Sequence, residues 1–336
     1  MNPLIVPASL FIRAGSRVKN FLYDREILKP QRPPLPVISV GNISFGGTGK
    51  TPLAMELLAW FRKQGFRPAL VTRGYRGAWE KSGGVLSDGR SLLGTWKEAG
   101  DEPYLAALAN PEAGVFIGRN RIASCRTAGE MGFNIAVLDD GFQHRRLGRS
   151  IDIVLFDPGD LTALRETRAS LDRSDILLIK DKSRFPDNIK KILNPRHCVF
   201  EYRVTPRGYR KADAEGELPP DAMRGKKVLA FCGIAGPERF FRLLEELGAE
   251  LVRQMPFPDH YSFPARALKK IEGKFLESGA AAAVTTEKDA VKLAAGPWPH
   301  DRMPLYVLRI GVDVEAGFYS ILREFLVAHR GKGQSS

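Results

Sequence analysis

Cysteine is scarce and poorly placed for chemistry. Cys125, Cys198 and Cys232 are the only three in 336 residues, and no two form a C-x-x-C pair. That spacing excludes a disulfide framework and a thiolate zinc site, and it fits a reducing cytosolic compartment. Histidine is nearly as rare, at five residues. There is no internal repeat, and no low-complexity segment beyond a short polar tail, Gly331 to Ser336. Acidic residues are also in deficit: 38 Asp and Glu face 51 Lys and Arg, a net charge of +13. Such an excess suits a polyanionic partner, whether nucleic acid, phosphorylated substrate or anionic membrane surface. The length allows sizeable cores and suggests two domains.

What is present is more specific. Residues 38–51, ISVGNISFGGTGKT, read as a buried strand, a glycine-rich turn and a helix start. That order is a phosphate-binding P-loop, with Ser44 where G-x-x-x-x-G-K-[ST] has its first glycine. The backbone of Ser44, Phe45, Gly46, Gly47, Thr48 and Gly49 is expected to curl amide groups around a triphosphate, helped by the following helix dipole. Lys50 is placed to reach the β- and γ-phosphates, and the Thr51 hydroxyl to ligate Mg²⁺.

Apolar strands alternate with helical stretches through the first two hundred residues. Strands are expected at 36–40, 68–72, 114–117, 134–138, 151–156 and 175–179, and helices at 50–64, 119–131 and 166–173. This alternation predicts an α/β fold of the P-loop NTPase kind: a mostly parallel sheet covered by helices on both faces, with ligands at the carboxyl ends of strands. A polar, Pro/Gly-marked stretch from Thr205 to Arg224 is the candidate linker. A second, smaller α/β unit follows, with strands at 227–231, 281–285 and 305–310, and helices at 238–247, after 286 and at about 315–328. The expected division is 1–30, 31–205 and 206–311, with a terminal helix (about 312–330) able to pack back on the second segment.

The strand 134–138 ends in Asp139 and Asp140, where P-loop enzymes keep the metal and its waters. A bare Asp-Gly turn is the alternative. Asp101 and Glu102 open a helix, the usual place for a cap or a dipole partner. Arg73, Arg119 and Arg121 follow strand ends, suited to phosphate or to solvent. His144-Arg145-Arg146 is a substrate clamp or a solvated basic loop, and His260 a loop histidine with or without a role.

At the N-terminus, Leu4, Phe11, Ala14, Val18 and Phe21/Leu22 share a helical face, flanked by Arg13, Arg17, Lys19 and Arg25. The uncharged run stops at Arg13, short of the roughly 20 residues that span a bilayer. Basic residues follow the apolar stretch, so no signal peptide is expected. An interfacial helix and a helix packed on the core both fit.

Taken together these segments resemble the tetraacyldisaccharide 4'-kinase family, the lipid A 4'-kinases of Gram-negative bacteria. The likeness rests on VGNISFGGTGKTP (40–52), TRGY (72–75), GDEP (100–103), LDDGFQH (138–144), GIAGP (233–237), PDHY (258–261) and TEKDAVK (286–292), in the family's order. The resemblance implies transfer of the ATP γ-phosphate to the 4'-hydroxyl of a tetraacylated disaccharide 1-phosphate. It also implies a P-loop domain, a smaller α/β domain on a two-stranded linker, and an N-terminal helix on the cytoplasmic face of the inner membrane. By motif, Lys50 and Thr51 bind triphosphate and Mg²⁺, Asp139 and Asp140 complete the metal environment, Asp101 is the general base and His260 supports it. Arg73, Arg121, Gln143 and His144 are the candidate substrate contacts.

A membrane-associated regulatory ATPase is the competing reading, but its loop would carry a signature lysine where Phe45 stands. A GTPase would need an N-K-x-D strand end, of which Lys180-Asp181-Lys182 is only a fragment. The basic residues are dispersed and no nucleic-acid module is present, so no nucleic-acid partner is expected.

Overall fold

The structure is a computed structural model that describes residue 15 and residues 18–44, 47–159, 164–184, 197–293 and 298–330, without the side chains of 328–330. One 13-stranded sheet runs through the molecule. From the edge of the N-terminal half its order is Gly84–Asp88, Gly114–Ile117, Pro68–Thr72, Ile135–Asp139, Val37–Asn42, Ile151–Phe156 and Ile176–Ile179. It continues through Cys198–Lys211 and Leu305–Val314 into Ala282–Thr286, Lys227–Cys232 and Glu250–Pro256. Neighbours are parallel except Gly84–Asp88 on its partner, the pair 198–211/305–314, and the short Glu217–Leu218. The expected α/β class, a mostly parallel sheet between helices, is what forms.

Strands Val37–Asn42, Ile135–Asp139 and Ile151–Phe156 are buried along their whole length, as parallel strands covered on both faces must be. Their register, Val40 opposite Asp139 and Asn42 opposite Leu155, lines their carboxyl ends along one edge. Helix Lys50–Lys63 buries Leu53, Ala54, Leu57, Leu58 and Phe61, an i, i+4, i+8 stripe packed against Ile38, Val40 and Val137. Phe318 and Leu322 of helix Gly317–Arg330 join the same core, and Tyr319 meets Trp60 at 5.5 Å.

Gly49 closes the P-loop at φ 89°, and a β-carbon there would lie 3.0 Å from Val204 and 3.3 Å from Val312. Gly49→Ala is therefore expected to cost about 1–2 kcal/mol in backbone strain alone. Urea unfolding checks this; an unchanged midpoint would show that the loop relaxes freely.

Three differences from the sequence reading have physical causes. The expected helix 166–173 is a 3₁₀ turn over Arg168–Arg173. Arg165 N donates to Ile43 O at 2.7 Å and Ser44 bridges Leu164, so the segment entering that turn is committed to the strand before the P-loop. The first part of the expected linker, to Lys211, belongs to the 14-residue strand Cys198–Lys211. Pro206 sits there at a register shift opposite Arg309/Ile310, where a bulge tolerates its missing N–H. Strands Gly84–Asp88 and Glu250–Pro256 lie at sheet edges, and their half-exposed polar faces give no continuous apolar run.

Helix Lys50–Lys63 is also fastened to the long antiparallel pair. Glu56 accepts from Val312 N at 2.8 Å and from Arg207 Nη2 at 3.0 Å, while Arg207 also pairs with Asp313 at 2.7 Å. Among the described residues, no helix is long and apolar enough to cross a membrane.

Candidate active site

At the edge where the central strands end, the P-loop, Asp139, Asp140 and the start of helix Asp101–Ala109 converge. Phe45 and Gly46 lie outside the described residues, as do residues 1–14, 16 and 17 of the N-terminal segment. Ser44 is 4% exposed and Thr48 5%; Asn42 Nδ2 donates to Thr48 Oγ1 at 3.1 Å, bracing the loop from beneath. Lys50 Nζ lies 3.5 Å from Asp140 Oδ1, and Arg165 Nη1 reaches both Asp140 oxygens at 2.9 and 2.8 Å. Burial would raise the Asp140 carboxyl, but Lys50 and Arg165 outweigh it and hold the group well below the usual range.

Asp139 has the opposite fate. Burial pushes its carboxyl up to about 7, with the Glu102 and Asp140 charges adding to the rise against Lys50 and Thr51. Its Oδ2 accepts from the Thr51 hydroxyl at 3.0 Å, whereas Oδ1 is buried with no partner among the described residues. A buried carboxylate oxygen left open beside a P-loop threonine fits a cation donor. Among the described residues no group of three or more His, Cys, Asp or Glu is arranged to hold a metal by itself. One or two carboxylates with a hydroxyl, beside substrate phosphates, is the donor set that Mg²⁺ takes in general.

Glu102 connects this centre to a second one. Its Oε2 lies 3.4 Å from Thr51 Oγ1 and its Oε1 3.1 Å from Lys288 Nζ. The adjacent Asp101 is 5% exposed and meets His260, which comes from the C-terminal half of the chain. His260 Nδ1 lies 3.1 and 3.0 Å from the two Asp101 oxygens. An ionised carboxylate can only accept, so Nδ1 carries the proton and Nε2 faces Lys288 Nζ at 3.4 Å as an acceptor. Burial raises the Asp101 carboxyl, yet the His260 hydrogen bond and the charges of Lys288 and Lys292 prevail and keep it below the ordinary value. His260 itself sits at φ 62°, stacks edge-on to Tyr75 at 5.5 Å, and is held by a bond from Arg76 Nη1 to Asp259 O at 2.7 Å.

The expected substrate residues divide. Arg121 is 8% exposed, its Nε has no partner among the described residues, and burial followed by the Arg73 charge lowers its pKa. His144 is pushed down to about 4 by burial and by Arg121, Lys19, Arg149 and Arg146, so it is neutral at pH 7. Its Nε2 is buried and unpartnered among the described residues. Arg73 is tied to Glu80 at 2.7 Å. Gln143 Nε2 donates to Asn42 O at 2.7 Å, and the Gln143 backbone carbonyl accepts from Lys19 Nζ at 2.8 Å. That last bond docks the N-terminal helix, helical over residues 18–24, onto the 138–146 loop.

The family model for tetraacyldisaccharide-1-P 4'-kinase matches residues 1–327. The chain belongs to that family. Curated tetraacyldisaccharide 4'-kinases resemble it along most of both chains. The one from Desulfotalea psychrophila is 36% identical over 94% of each chain, and that from Syntrophus aciditrophicus 38% identical over 91% of this chain and 87% of its own. Among solved structures, the "apo" form of LpxK from Aquifex aeolicus in complex with ATP matches with a TM-score of 0.76 and 29% identity, covering 96% of this chain and 98% of that one. As a tetraacyldisaccharide-1-P 4'-kinase family member the chain is a kinase.

Glu102, Arg165, Lys288 and Lys292 were not singled out for the site from the sequence. Glu102 stood inside the GDEP motif and was read with Asp101 as an early-helix acid. Lys288 and Lys292, four apart in TEKDAVK, share one face of helix Glu287–Leu293, a spacing that could have flagged them. Arg165 carries no local signal.

Proposed function

We propose that the protein transfers the γ-phosphate of ATP to the 4'-hydroxyl of tetraacyldisaccharide 1-phosphate, on the cytoplasmic face of the inner membrane. The observation that carries this is the 3.4 Å approach of Thr51 to Glu102, which brings a triphosphate cradle next to the Asp101–His260 pair. The loop amides and Lys50 bind the phosphates. Thr51, Asp139 and Asp140 would hold Mg²⁺, which neutralises phosphate charge when bound. Asp101 accepts the hydroxyl proton as that oxygen bonds to the γ-phosphorus and the bond to the departing ADP breaks. His260 orients Asp101. Arg73, Arg121 and His144 face the phosphorylated sugar, and Gln143 sets the loop that carries His144 through its bond to Asn42. Residues 31–205 with the terminal helix form the nucleotide half, and 206–311 the smaller half.

Purified protein given ³²P-labelled ATP, Mg²⁺ and the disaccharide monophosphate in micelles should yield labelled bis-phosphate. Label appearing only as free phosphate would favour a regulatory ATPase instead.

Val18 is 64% exposed and Phe21 54%, while Lys19 on the same helix is turned to the protein. These apolar groups are the proposed membrane contact. Val18→Glu with Phe21→Glu should weaken flotation with anionic vesicles at least about tenfold, since each buried apolar side chain is worth about 1.5–3 kcal/mol. ATP affinity should hold; equal losses of both would assign the helix to the core.

A further inference from the structure

Lys292 is an unusual lysine. Its side chain is 1% exposed, with Nζ 2.7 Å from Asp289 Oδ1 and 3.5 Å from Asp101 Oδ2. The Phe263 ring covers it at 5.4 Å. A charge withdrawn from water to that degree persists only with compensating partners. Asp289 is an immovable one: fully buried, it accepts from Gly233 N and Thr286 Oγ1, each at 2.8 Å. Asp289 and Lys292 lie on one helix and would already neutralise each other within the C-terminal half. Reaching across to a second buried carboxylate, on a helix of the other half, adds nothing that this pairing needs.

We propose that Lys292 is a positioning residue for Asp101, holding its carboxylate from the opposite half of the molecule so that the proton acceptor is complete only when the two halves are docked. This rests on the reading of Asp101 as proton acceptor. Besides the Glu102 N–H of its own helix, which donates to Asp101 Oδ1 at 3.0 Å, the carboxylate has two fastenings from the C-terminal half of the chain: His260 from the 258–261 loop and Lys292 from helix Glu287–Leu293.

The charged and titratable groups around Lys292 are Asp101 on its helix, Asp289 and Lys288 on its own, His260 and Asp259 in the facing loop, and the Cys232 thiol beside Asp289. Burial pushes the Asp101 carboxyl up, and Lys292 is one of the cations that oppose it. Removing this cation lets the carboxyl rise.

The test is the pH dependence of kcat/KM in Lys292→Met. Its acidic limb should move up by about one unit or more, with activity largely recovered above the limb and KM for ATP unchanged. Lys292→Met/Asp289→Asn removes both buried charges and should shift the limb the same way, which covers a single variant that fails to fold. Lys292→Arg, keeping a cation, should restore the limb. A loss equal at every pH, or no loss, in the soluble variants overturns the proposal. Asp101→Asn run in parallel separates the two levels: full activity there removes the acceptor itself, whereas a large loss there with an unmoved limb in the Lys292 variants removes only the role of Lys292.

Discussion

Asp101→Asn is expected to lower kcat about 10²–10⁴-fold with little change in ATP affinity, the span that a positioned proton acceptor contributes. The substitution keeps shape, and its amide oxygen can still accept from His260 Nδ1, so the fold and the 258–261 loop should stay in place. What disappears is the basic oxygen. Asp101 is well suited to serve at neutral pH, because His260 and two lysines keep it ionised despite 5% exposure. Steady-state kinetics with isothermal titration of ATP separates the effects. A rate within threefold of the parent would sink the assignment.

Lys50→Met should be comparably severe, lowering kcat by about 10²–10³, the loss seen when one preorganised charge donor at a transition state is removed. Unlike most losses of a partly buried cation, it should leave stability nearly untouched. Asp140 would not be stranded, since Arg165 still engages both of its oxygens. Thermal melting beside single-turnover phosphoryl transfer distinguishes this from misfolding; a melt lowered in step with activity would point to a structural lysine.

The family and the strands around the P-loop are legible from residues because their signals are local. A strand, glycine turn and Lys-Thr lie within residues 38–51, and the buried parallel strands are continuous apolar runs. Strand Cys198–Lys211 is hard to see because its exposed positions Arg203, Arg207 and Arg210 fall out of strict alternation across the Pro206 bulge, so its pattern looks like loop. The pairing of Asp101 with His260 came only through motif likeness: 159 positions separate them, and no periodicity reports such a contact. Lys292 was harder still. A lysine on a short helix ordinarily points to water, and only the fold places a carboxylate above it.

The attachment of Glu56 to Val312 and Arg207 has a mechanical consequence. The ribbon 198–211/305–314 joins the N-terminal strands to the C-terminal ones, and Glu56 bolts that ribbon to the middle of the helix whose first residue is Lys50. Strain in the ribbon therefore loads a stiff helix at its centre. A load on that ribbon has a path to Lys50 through one hydrogen-bonded carboxylate and about two helical turns, without crossing a loop.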